Sequence, residues 1–115
     1  MNEPEKTKRY RFSPKAETDY LAILDYIANK LMNPDAAEKF RDDLRKAIHL
    51  MCDFPEFHPK EMSIKYEFRK MIVGSYLVFY VILEKEIVIA RILNSRQNHS
   101  RILEQARLLC YRTEE

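Results

Sequence analysis

The chain has 115 residues, 46% hydrophobic and 33% charged, with a formal net charge of +2. That is the length of one domain and the composition of an ordinary globular protein rather than a disordered one. A single glycine, Gly74, argues against the glycine-rich phosphate loops of nucleotide-cofactor enzymes, so no cofactor is expected.

Residues 1–115 read as one domain, with 1–6 as a flexible tail. The charged start Met1-Asn2-Glu3-Pro4-Glu5-Lys6 has no apolar core and is not a signal peptide. The longest apolar run, residues 76–83, is far too short to cross a bilayer. A cytoplasmic location is therefore expected. There Cys52 and Cys110 are most simply reduced thiols with buried structural roles, and two cysteines without a paired motif make no zinc site. Charge is unevenly spread. Residues 1–59 carry net −1 and residues 60–112 carry net +5, so the strand-rich half is the basic half. The asymmetry fits either an anionic partner or a well-solvated basic surface.

Residues 7–12 read as a short strand, because Tyr10 and Phe12 alternate with Arg9 and Arg11. Ser13-Pro14 then supplies a helix start, with Ser as N-cap and Pro at the first helical position. The helix it opens runs to about Leu31, with Ala16, Tyr20, Ile23, Leu24, Ile27 and Leu31 on one stripe. Asn33-Pro34 repeats the signal, and the second helix runs to about Asp53 on Ala37, Phe40, Leu44, Ala47, Ile48 and Met51. So short a link folds the helices into an antiparallel hairpin, which must lie on something apolar. Pro55 and Pro59 bracket a loop.

Three strands follow, over 66–73, 76–83 and 86–93. Gly74-Ser75 suits a two-residue hairpin turn, and Glu84-Lys85 is a weaker turn signal. With two residues in each turn, Arg69 faces Tyr80, Met71 faces Val78, Val78 faces Arg91 and Tyr80 faces Ile89. One face of the meander then holds Phe68, Ile72, Leu77, Phe79, Val81, Leu83, Val88, Ala90 and Ile92, and it is assigned to the helices. The other holds Glu67, Arg69, Met71, Tyr76, Val78, Tyr80, Ile89 and Arg91, and it is assigned to function. Ser100 can cap a last short helix through Leu109. The fold class is α+β: a helical hairpin on one face of a small, mainly antiparallel sheet in the order β-α-α-β-β-β.

The functional candidates lie on or beside the second face. Arg69, Arg91 and Arg96 carry forked donors that match phosphate oxygens. Tyr76 and Tyr80 suit stacking on unpaired bases. His99 has the pKa range for acid–base work, and Glu67 is a candidate base. Against this, each arginine can simply pair with Glu67, Glu84 or a terminal carboxylate. A lone loop histidine is more often an ordinary surface residue. His49 and His58 have no assigned role, and the histidine spacing predicts no metal.

The order of elements resembles the RelE/ParE superfamily of bacterial type II toxins, from about Lys8 to Leu103. The resemblance rests on Phe12-Ser13-Pro14-Lys15-Ala16, Asp19-Tyr20-Leu21-Ala22-Ile23-Leu24-Asp25-Tyr26-Ile27, Asn33-Pro34-Asp35-Ala36-Ala37 and Phe54-Pro55. It continues through Tyr66-Glu67-Phe68-Arg69-Lys70-Met71, Gly74-Ser75-Tyr76-Leu77-Val78-Phe79-Tyr80 and Ile89-Ala90-Arg91-Ile92-Leu93-Asn94-Ser95-Arg96. It implies a small sheet backed by a helical hairpin, and a cognate antitoxin that wraps over the toxin. One branch cleaves messenger RNA in the ribosome; the other poisons DNA gyrase. Arg69, Arg96 and Tyr80 match residues frequent in the family. Asn94 departs from it, standing where many members have histidine; Asn98 and His99 stand where relatives often have an acidic residue and an aromatic, and the chain runs on into a helix where the RNA-cleaving branch often ends. Three outcomes are open: a ribosome-dependent endoribonuclease, slightly favoured for its arginine–tyrosine face, a gyrase poison, or an inactive member that only binds its antitoxin.

Overall fold

The computed structural model describes residues 8–62 and 66–106. The expected N-terminal tail, Thr7, the last turn of the C-terminal helix to Leu109, and Cys110 lie outside the described residues. The elements are β1 (Arg9–Phe12), α1 (Pro14–Asp25), α2 (Pro34–Asp53), β2 (Lys60–Met62), β3 (Glu67–Val73), β4 (Tyr76–Ile82), β5 (Glu86–Asn94) and α3 (His99–Glu104). One five-stranded sheet has the order β1-β5-β4-β3-β2. Among the described residues, β1 alone pairs in parallel, with β5. The α+β class and the helical hairpin are as read from the sequence. β2 is an addition, formed by the stretch after Pro59 folding back on β3.

Both helix starts form as the sequence dictates. The Ser13 hydroxyl accepts from Ala16 N–H at 3.0 Å, and Asn33 accepts from Ala36 N–H at 3.1 Å. Past Asp25, α1 continues as a π-helical turn, Tyr26–Lys30, and the link to α2 passes through Met32 at φ 53°. α3 starts two residues earlier than read, because Asn98 rather than Ser100 caps it, accepting from Arg101 N–H at 3.2 Å.

The hairpin covers the face that the sequence reading reserved for function. Met71, Val73, Val78, Tyr80, Ile87, Ile89 and Ile92 pack with Ala16, Ile23, Phe40, Leu44 and Ile48 of the helices. Phe68, Phe79, Val81, Val88, Ala90 and Leu93 face away from the hairpin, where Leu103 of α3 packs on them. Alternation sorts side chains into two sets but does not say which set the helices take, and here both sets are rich in apolar residues. An aromatic ladder runs under the hairpin, with centroids 5.8 Å apart for Phe12–Tyr20, 6.4 Å for Tyr20–Phe40 and 5.1 Å for Phe40–Tyr76.

Both two-residue turns are present. Leu83 N–H bonds Glu86 C=O at 2.8 Å, and Tyr80 pairs with Ile89 as expected. The register then shifts between Phe79 and Tyr80, so Arg91 pairs with Phe79 and Ile92 with Val78. The predicted Val78–Arg91 pair is thereby corrected, and Ile92 moves to the hairpin face. A bulge adds one residue to one strand and inverts the alternation beyond it. α1 satisfies the polar groups that the bulge frees. Ser13 Oγ donates to Ala90 C=O at 2.9 Å, and Ile92 N–H donates to Asp19 at 2.9 Å.

Gly74 carries φ +61° in the β3–β4 turn, where an added Cβ would meet nothing within 4 Å. Gly74→Ala should therefore cost only the backbone strain, about 1 kcal/mol. Urea unfolding checks it, and a larger loss would mean that the turn holds the register of the whole hairpin.

Candidate functional site

Arg69 and Tyr80 meet across β3 and β4 as expected, but beneath the hairpin's end rather than on an open surface. The Arg69 side chain is 13% exposed, and its Nη1 donates to His58 C=O at 2.7 Å and to Glu56 C=O at 3.2 Å. Its Nη2 lies 3.7 Å from Glu67, which also faces Lys60 at 3.3 Å. Tyr80 is fully buried. Its hydroxyl donates to Pro55 C=O at 2.6 Å and lies 3.2 Å from His58 Nδ1. With the phenol hydrogen committed to Pro55, the His58 Nδ1–H is the donor to Tyr80, which fixes the neutral tautomer. Burial pushes the Tyr80 phenol up to about 12, against a smaller opposing pull from Arg69. Burial and then Arg69 hold His58 below its ordinary value. The two groups therefore stay uncharged near neutral pH. Together with Arg69 they clamp the loop bracketed by Pro55 and Pro59 onto the sheet.

Arg91 does not join them. It makes a two-pronged ion pair with Asp19 of α1, Nε to Oδ2 at 2.8 Å and Nη2 to Oδ1 at 2.9 Å. Both side chains are mostly buried, 19% and 15% exposed. Tyr76 starts β4, four residues before Tyr80 and so about 13 Å away along the strand. It packs on Phe40, and burial, then Tyr26, raise its phenol's pKa. Arg96 and His99 stand beyond the end of β5. Arg96 N–H donates to Asn94 Oδ1 at 2.9 Å, and its side chain is exposed. His99 Nε2 lies 3.1 Å from Asn94 C=O, with its ring 5.5 Å from Phe79.

The predicted site residues thus divide. Arg69, Tyr80 and Glu67 come together with His58 at one end of the sheet. Tyr76 lies at the other end of β4, where it pairs with Asn94. Arg91 is tied to the helix. Of the predicted residues, Glu67 and Arg96 keep exposed side chains, and His99 is half-buried. The sequence reading missed Asp19 and His58. Asp19 had a signal: it sits three residues after buried Ala16 and four before buried Ile23, on the stripe that packs inward. A carboxylate there needs a cation beneath it. His58 had only its flanking prolines.

The family model for the ParE toxin of the type II toxin-antitoxin system, parDE, matches residues 10–99. The chain belongs to that family. Solved structures that it resembles include one described as the chromosomal ParDE TA system from P. aeruginosa, with a TM-score of 0.64 and 21% identity over 77% of this chain and 97% of that one. At that identity the likeness shows the fold. No match was found among curated proteins. Among the described residues, no helix is long and apolar enough to cross a membrane.

Proposed function

We propose that this chain is a growth-inhibiting toxin that acts by binding a protein target, DNA gyrase, and that a cognate antitoxin protein keeps it silent. One observation carries the choice of binding over RNA cleavage. The cations and phenol that a phosphodiester site would use are engaged inside the fold. Arg69 donates to two loop carbonyls, Arg91 is neutralised by Asp19, and Tyr80 is buried with its hydroxyl donating to Pro55. Transition-state stabilisation needs donors aimed at the reacting phosphate, and donors already satisfied within the protein do not supply it. Family membership supports the toxin role, and the ParDE likeness supports a partner that restrains it.

The test is a supercoiling assay with purified gyrase and the purified chain. Saturating chain should stop supercoiling and accumulate cleaved DNA, while transcripts in arrested cells stay intact. Unimpaired supercoiling would sink the reading. A second reading, ribosome-dependent cleavage, is favoured by the exposure of Arg96 and the accessible ring of His99. It predicts transcripts cut during translation and rescued by Arg96→Ala with His99→Ala. If expression does not slow growth at all, the chain is an inactive member that only binds its antitoxin.

A further inference from the structure

We propose that the pocket between α1 and the paired ends of β4 and β5 binds a small, neutral, flat heterocycle whose edge carries several hydrogen-bond acceptors, of the purine-dione kind. The inference is independent of the gyrase reading and concerns a site separate from the Arg69–Tyr80 clamp. The pocket has a volume of about 450 Å³, within the range of small-molecule sites. Asp19, Ala22, Ile23 and Tyr26 are spaced three and four residues apart, so α1 and its π-helical continuation turn one face to it. Tyr76 and Asn94 lie opposite one another on β4 and β5, which puts their side chains on one face. Ile92, two residues before Asn94, shares that face, and Gln97 joins from the turn after β5. Tyr26 is 47% exposed, so the pocket opens to solvent at its side.

The hydrogen-bonding capacity left in this pocket is one-sided. Asn94 Oδ1 accepts from Arg96 N–H at 2.9 Å, and Gln97 Oε1 accepts from Asn94 N–H at 3.0 Å. Both amide carbonyls are thus committed, which fixes how each amide is turned and leaves both NH2 groups as donors. The Tyr26 and Tyr76 hydroxyls meet no hydrogen-bond partner among the described residues and add two further donors. The lining carboxylate, Asp19, already accepts from Arg91 and from Ile92 N–H. No Lys or Arg lines the pocket, so an anion finds no counter-charge there. Asp19 is matched by Arg91, so a cation finds none either. The walls are two phenol rings with Ala22, Ile23 and Ile92, which suit an apolar, planar body. Four neutral donors around such walls select a flat molecule with carbonyl and ring-nitrogen acceptors. An unpaired base in a strand has a similar edge, but with no lining cation its phosphates would go unpartnered, so the ligand is a free compound.

The probe is caffeine, which is flat and uncharged, with carbonyl and ring-nitrogen acceptors and no N–H donor. It is titrated into the full, nitrogen-labelled chain and followed by NMR. The side-chain NH2 resonances of Asn94 and Gln97 should shift to saturation, with a Kd of about 1 mM or tighter. Benzamidine, a flat cation that only donates, should leave them in place. Gln97→Glu and Asn94→Asp each keep the oxygen that accepts from the backbone and exchange the NH2 for a second oxygen. Each should weaken caffeine at least about tenfold, read on the NH2 that remains, with backbone resonances away from residues 92–97 unchanged. Tyr26→Phe removes one donor and should weaken it about threefold to tenfold. Pentaadenylate should bind no more tightly than caffeine. NH2 resonances unmoved at about 10 mM caffeine would overturn the proposal. So would equal shifts with benzamidine, undiminished affinity in both acidic variants, or tighter binding of pentaadenylate.

Discussion

Asp19→Ala should lower stability by about 3 kcal/mol, with a melting temperature lower by on the order of 10 °C. The carboxylate accepts three hydrogen bonds, two from Arg91 and one from Ile92 N–H. Its loss leaves a largely buried guanidinium unpaired and a bulge N–H unsatisfied, and each carries its own penalty. Asp19→Asn keeps an acceptor for one donor and should recover part of the loss. Adding Arg91→Met to Asp19→Ala removes the stranded cation, so the double variant should be more stable than Asp19→Ala alone. Denaturant unfolding of the parent, Asp19→Ala, Arg91→Met and the double variant closes this cycle. Faster amide exchange at Ile92 should accompany the loss, because Asp19 holds the bulge. A change below about 0.5 kcal/mol for Asp19→Ala would show that the pair contributes nothing to the register.

The same carboxylate shows why the sequence reading was right about the fold and wrong about the face. Element types came from local signals: Ser13-Pro14, Asn33-Pro34, Gly74-Ser75 and the stripes on α1 and α2. Those act within a few residues, and the structure repeats them. The choice of face depends on which apolar set the hairpin can cover. That is a long-range matter, and Met71, Val78 and Ile89 were as good a core as Phe68, Phe79 and Val88. The bulge was equally hidden. Nothing at Ala90-Arg91 marks an extra residue, and its partners, Ser13 and Asp19, lie more than seventy positions away. Arginines on a sheet next to tyrosines look like a phosphate site in one dimension. In three dimensions two of them meet their counter-groups inside the protein: Asp19 for Arg91, and the carbonyls of Glu56 and His58 for Arg69. Of the predicted arginines, only Arg96 keeps an exposed side chain, since it lies past β5, where no element among the described residues packs over it.

Tyr80 offers the sharpest division between the two uses of that face. If Tyr80 is a structural clamp, Tyr80→Ala should cost about 3–5 kcal/mol, from the void left by a fully buried ring and the loss of its hydroxyl. Tyr80→Phe keeps the ring and should cost about 1–2 kcal/mol, because the Pro55 carbonyl and His58 lose their partner. The loop it releases presents Phe54 and Phe57, which are 61% and 80% exposed, so Tyr80→Phe should also speed exchange across residues 54–59. His58 adds a pH dependence. Its folded pKa lies below the ordinary 6.5, so the unfolded chain takes up the proton first. Stability should be full above about pH 6.5 and fall as pH drops toward the folded value. His58→Gln should remove that part of the slope between pH 7 and pH 5. At the alkaline end, the phenol raised to about 12 from 10 should cost stability as pH climbs above 10. Urea unfolding across this pH range tests both limbs. Parallel acid limbs in parent and His58→Gln would remove His58 from the clamp. A Tyr80→Phe chain as stable as the parent that had lost its toxicity would return the hydroxyl to chemistry.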